Sequence, residues 1–130
     1  MATKKKDRKP SPVQFIDTAK ELVEHTWFYI SKFPKSTRFI FQTKISDLAM
    51  DLYINTQRAN SIFVEKENEA DRQNKRECVQ QALGIINSLE GLLSIIQLKY
   101  YSEITEYGWK HWGELIDKER KLLSGLLKSI

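Results

Sequence analysis

One proline between two helical stripes sets the frame for this chain. In Ser31-Lys32-Phe33-Pro34-Lys35-Ser36-Thr37-Arg38-Phe39, Pro34 brings no N–H and disfavours helical geometry at Phe33. Upstream, Phe15, Ile16, Ala19, Leu22, Val23, Thr26, Trp27 and Ile30 recur at helical spacing. Downstream, Phe41, Ile45, Leu48, Ala49, Leu52, Thr56 and Ala59 do the same. The stretch therefore predicts the tight corner of a helical hairpin, with Ser36 or Thr37 placed to cap the second helix. Lys32, Lys35 and Arg38 lie there among Trp27, Phe28, Tyr29, Phe33, Phe39 and Phe41. Such a rim either closes the end of a core or stacks bases and holds phosphates.

The same periodicity predicts three more helical segments after the first, which is read over residues 12–32. Ser11 suits its N-cap and Pro12 its first position. His25 stands four residues after Glu21, the spacing of a surface pair. The second helix is read over 37–62, with Lys44, Asp47, Asp51, Asn55 and Arg58 opposite the apolar stripe. Residues 63–68 form a connection. The third helix is read over 69–98, with a stripe through Cys78, Ala82, Ile85, Ile86, Leu89, Leu92, Leu93 and Ile96. Gly84 and Gly91 are one heptad apart, and helix-interior glycine costs about 1 kcal/mol against alanine. Their presence points to close helix contact, within the chain or between copies. The fourth helix is read over 102–128, with Ser102, Thr105 and Glu106 supplying capping groups. Ile104, Gly108, His111, Trp112, Leu115, Ile116, Glu119, Leu122, Leu123 and Leu126 mark its inner side. Short connections favour antiparallel neighbours, so the expected fold is all-α: an up-down-up-down four-helix bundle over residues 12–130. That topology gathers the Pro34 and Tyr100 corners, with Lys99, at one end.

Charge is unevenly placed. The formal net charge is +4. Lys4, Lys5, Lys6, Arg8 and Lys9 against Asp7 account for all of it, and the body balances. Residues 1–11 read as a disordered basic arm, either solubilising or touching phosphates. No signal peptide is read at the start, and the apolar span of residues 83–98 is interrupted by Asn87, Glu90 and Gln97. It is read as a core helix of a cytoplasmic protein and not a membrane span. The single cysteine, Cys78, reads as a buried reduced thiol and excludes an internal disulfide.

Sites for chemistry are scarce. Three residues before His25 and His111 stand Leu22 and Gly108, so the Glu-x-x-His pairs of a di-metal bundle are missing. There is no H-E-x-x-H, P-loop or G-x-G-x-x-G. The core positions read as aliphatic, with no place for a buried acid or base. The chain is thus expected to bind and not to catalyse, with no cofactor and no metal. Phe28, Tyr29, Tyr53, Ile54 and Trp109, beside the main stripes, suggest apolar surface for another copy.

Phe33-Pro34-Lys35-Ser36-x-Arg38-Phe39, Ile45-x-Asp47-Leu48-Ala49-x-Asp51-Leu52 and Ala59-Asn60 together resemble the signature of the small bacterial "four helix bundle protein" family. The closing Leu122-Leu123-Ser124-Gly125-Leu126-Leu127-Lys128-Ser129 is similar to that family's terminal small-Gly-Trp-x-Lys-Ser pattern, with Leu126 where it has tryptophan. The resemblance covers roughly residues 12–129. The family includes the accessory variability determinant proteins of diversity-generating retroelements and the ribosomal-RNA intervening-sequence proteins. It implies a homopentameric barrel that binds the element's reverse transcriptase and its template RNA, supporting error-prone complementary-DNA synthesis. It makes Lys35 and Arg38 nucleic-acid or partner candidates, beside Lys32 and the arm residues Lys4, Lys5, Lys6, Arg8 and Lys9. The alternative is a self-assembling structural protein of the intervening-sequence type.

Overall fold

A computed structural model describes residues 13–64 and 68–130. Four α-helices carry the fold, with no strand among the described residues. They are α1 (Gln14–Ile30), α2 (Thr43–Ser61), α3 (Glu69–Tyr100) and α4 (Glu106–Ser129). Each packs on the next in sequence, and α1 closes the ring against α4. This is the four-helix bundle that the apolar stripes predict. The expected arm lies outside the described residues, as do Ser11 and Pro12 at the predicted start of α1.

The stripes meet in a single core. Leu22 from α1, Ile45 and Leu52 from α2, Ile86 and Leu89 from α3, and Ile116 and Leu123 from α4 are almost fully buried. Each such side chain contributes about 1.5–3 kcal/mol relative to exposure. Cys78 is a free, buried thiol. Helix α3 with the turn after it is long and apolar enough to cross a membrane by length and composition. Its inner positions, from Ala82 to Ile96, are buried against the other helices. On the α3–α4 seam, Arg120 reaches Glu90 at 2.7 Å, Asp117 at 3.0 Å and Asn87 at 3.3 Å.

Local departures from the predicted elements have physical causes. Neither Ser36 nor Thr37 caps the second helix: the Thr37 hydroxyl donates back to Pro34 O at 2.7 Å. The chain instead enters α2 through a 3₁₀ turn (Lys35–Thr37) and a π-helical turn (Arg38–Gln42). The α4 cap is Thr105, whose hydroxyl accepts from Gly108 N at 3.0 Å, while Ser102 lies in a 3₁₀ turn (Tyr101–Glu103). Asn68 caps α3 by accepting from Asp71 N at 3.1 Å. Gly84 and Gly91 face open space, with nothing among the described residues within 4 Å of an added Cβ. The glycine that a close approach requires is Gly108, where an added Cβ would stand 2.7 Å from Tyr29 Cε1.

Candidate functional site

The Pro34 corner is built from rings on its inner side. Phe33 and Phe41 meet edge to face at 5.1 Å between centroids. Tyr100, from the other corner, packs 5.4 Å from Phe41 and 6.2 Å from Phe33. Trp109 stands 6.0 Å from Phe33 and donates its indole N–H to Tyr101 O at 2.8 Å. The two corners therefore touch, and half of the aromatic rim closes the core. Gln42 locks the corner by donating from Nε2 to Ile30 O at 2.6 Å, which satisfies a carbonyl left free at the end of α1.

The outer side is different. A cleft of about 590 Å³ opens there, lined by Trp27, Phe33, Lys35, Arg38, Gln42, Ser46 and Asp47 among others. Lys35 and Arg38, neighbours in the predicted motif, thus share one concavity. Neither makes an ion pair among the described residues. Trp27 is half-exposed and held in place by its indole N–H, which donates to Ser46 Oγ at 3.2 Å. On its other side Trp27 also walls a more apolar groove of about 370 Å³, with Val23, Met50, Tyr53 and Ile54. An indole face, two free cations and one carboxylate can stack a planar group and hold an anion beside it.

The other candidates separate. Lys32 is exposed, with its ammonium 5.2 Å from the Phe28 ring, and does not line the cleft. Lys99 lies 5.6 Å from the Tyr100 ring. Lys4, Lys5, Lys6, Arg8 and Lys9 fall outside the described residues. Of the apolar residues suggested for another copy, Phe28 and Ile54 are exposed, whereas Tyr29 and Trp109 are buried. The most exposed apolar side chains are Phe39, Leu98 and Phe63.

Three readings of polar residues are corrected. His25 does not pair with Glu21; its Nε2–H donates to Gly108 O at 2.9 Å, and its ring lies 5.1 Å from that of His111. Burial holds its pKa below the usual histidine value. Asn55 is not on the solvated face of α2 but buried, with Nδ2 donating to Asp51 O at 2.9 Å. The core does hold an acid: Glu119 is fully buried, and burial raises its pKa to about 8. Gln42 and the Asp47 side of the cleft were not singled out as site residues, because both depend on the π-helical turn, which no spacing announces. Among the described residues no group of three or more His, Cys, Asp and Glu is placed to hold a metal.

Comparison of the chain with protein-family models, with curated proteins and with solved structures finds no match in any of the three.

Proposed function

We propose that this chain is a non-catalytic accessory subunit of a diversity-generating retroelement. It forms an antiparallel bundle, assembles into a homopentamer in the cytoplasm, and binds the reverse transcriptase and the template RNA to support mutagenic complementary-DNA synthesis. The antiparallel order is supported by cross-helix contacts: Trp27 to Ser46, Trp112 to Thr26, and Arg76 to Ile130 O. The RNA role is supported by one observation above the others. Lys35 and Arg38, inside the motif that resembles the family signature, line the same cleft beside a half-exposed tryptophan and make no ion pair among the described residues. Phosphates are held by such unpaired cations, and their contribution falls steeply with salt.

A second reading draws on the exposed Phe39, Ile40, Ile95 and Leu98. Surface of this kind favours self-association, and a structural assembly without RNA would need nothing else. One experiment divides the two. The chain is co-expressed with the reverse transcriptase of a diversity-generating retroelement and the bound RNA is recovered. A ternary complex lost on Lys35→Glu with Arg38→Glu supports the first reading. Oligomers that bind neither enzyme nor RNA at low salt contradict it and leave the structural one.

A further inference from the structure

Glu119 sits on the inner side of α4 with no exposed surface, and neither carboxyl oxygen has a hydrogen-bond partner among the described residues. An unpaired charge in that position is strongly disfavoured. Two more buried oxygens are in the same condition: Thr18 Oγ1 on α1 and Asn55 Oδ1 on α2. These four atoms are all the buried side-chain nitrogens and oxygens without a partner among the described residues. That they come from three different helices invites the question of whether they meet.

Their heights follow from two contacts. Trp112 Nε1 donates to Thr26 Oγ1 at 3.0 Å, and Trp27 Nε1 to Ser46 Oγ at 3.2 Å. From the first, Thr18 lies about 12 Å down α1 and Glu119 about 10.5 Å along α4, at 1.5 Å per residue. From the second, Thr18 and Asn55 each lie about 13.5 Å away. In the antiparallel arrangement proposed above, on which this inference rests, those steps run in the same direction. Thr18 and Glu119 then fall within about one helical turn of a common level. Asn55 shares the height but not the direction: nine residues are about two and a half turns, so it points away from the Ser46 side of α2 that meets α1. On α3, the contacts of Arg120 with Asn87 and Glu90 bring the fully buried Ile86 and Leu89 near that level.

The donor count decides the chemistry. One of the two Asn55 Nδ2–H groups is used by Asp51 O, so Asn55 keeps a donor of its own and does not set the count. Thr18 offers one O–H. An ionised Glu119 would add acceptors and no donor, leaving the group short of hydrogens. A neutral Glu119 adds one O–H, and a water adds two more and joins groups that do not touch directly.

We propose that Thr18 and Glu119 share one buried polar site that binds an internal water, in which Glu119 is kept as the neutral acid. The surrounding groups agree. Lys118, its neighbour on α4, is the charge felt at Glu119, and it opposes burial without overcoming it. On α1 the buried Thr18 lies at its level; on α3 the inner positions there are the apolar Ile86 and Leu89, and Glu90 is taken up by Arg120. The folded chain therefore holds a proton at neutral pH that the unfolded chain releases.

Infrared spectroscopy of the full chain at neutral pH tests this directly. The neutral carboxylic C=O stretch is expected, and it vanishes in Glu119→Gln. Its absence from the unaltered chain overturns the proposal without touching the RNA reading, because RNA binding is expected to be the same in Glu119→Gln and the unaltered chain. A double-mutant cycle of Thr18→Val with Glu119→Gln is expected to show coupling of at least about threefold in the unfolding constant. Independent effects overturn the shared site. A high-resolution crystal structure is expected to show water bonded to both Thr18 and Glu119, and a dry site overturns the proposal.

Discussion

Thr26 and Thr18 are both buried on α1, eight residues apart, yet they meet opposite fates. Thr26 accepts from the Trp112 indole, so the largest buried side chain brings its own donor into a satisfied pair. Thr18 finds no protein partner, and neither does Glu119. Around Thr26 shape sets the energy, with the His25 ring 5.4 Å from Trp112 as the titratable neighbour. Around Glu119 the proton sets it. One bundle thus contains two layers that answer to pH in opposite directions.

The largest effect expected from breaking this contrast is at the packed layer. Trp112→Ala removes the ring and leaves Thr26 unpaired, costing about 3–5 kcal/mol in denaturant unfolding. The effect on the polar layer depends on pH. Burial raises the pKa of Glu119 in the folded chain to about 8 from the usual 4.5. The folded state then binds more protons than the unfolded state between these values, so stability falls as pH rises through that window. The steepest loss is about 1.4 kcal/mol per pH unit, and Glu119→Gln is expected to abolish it. His25 works in the other direction. Its pKa is lowered, so its contribution is lost as pH falls below its usual value. Unfolding midpoints across pH separate the two flanks, and Glu119→Gln flattens only the alkaline one.

Glycines sharpen the comparison at smaller scale. Gly108→Ala drives a methyl into Tyr29 and Ile104 and is expected to cost about 1–3 kcal/mol. Gly91→Ala meets nothing within 4 Å and is expected to stabilise the monomer by about 0.5–1 kcal/mol. Smallest of all, Lys35→Glu with Arg38→Glu should shift stability by no more than about 0.5 kcal/mol, because both side chains are exposed and unpaired.

The sequence made the four helices and most of the core legible, because a period of 3.6 residues survives any detail of packing. The stripe through Leu22, Ile45, Leu52, Ile86 and Ile116 reads the same on paper and in space. The corner was legible as a break and not as a shape. The π-helical turn at Arg38–Gln42 rests on Gln42 reaching back twelve residues to Ile30 O, a contact that local pattern does not encode. Glu119 was placed on the inner face by spacing, yet a buried acid was not anticipated, because spacing reports direction and not the identity of facing groups. Asn55 was misplaced for a related reason: polarity suggested solvent, while the helix crossing put it inside. Of the site, the Lys35/Arg38 pairing was visible from the motif. That the two share a cleft with Trp27 required the turn.

The account's central claim is that the outward side of the Pro34 corner does the work, and salt-dependent RNA binding tests it most directly. The logarithm of the binding constant is measured against the logarithm of salt concentration for the unaltered chain and for Lys35→Glu with Arg38→Glu. Loss of two phosphate contacts predicts weaker binding and a slope shallower by about 1.5. Equal affinity and equal slope in the two proteins would contradict it.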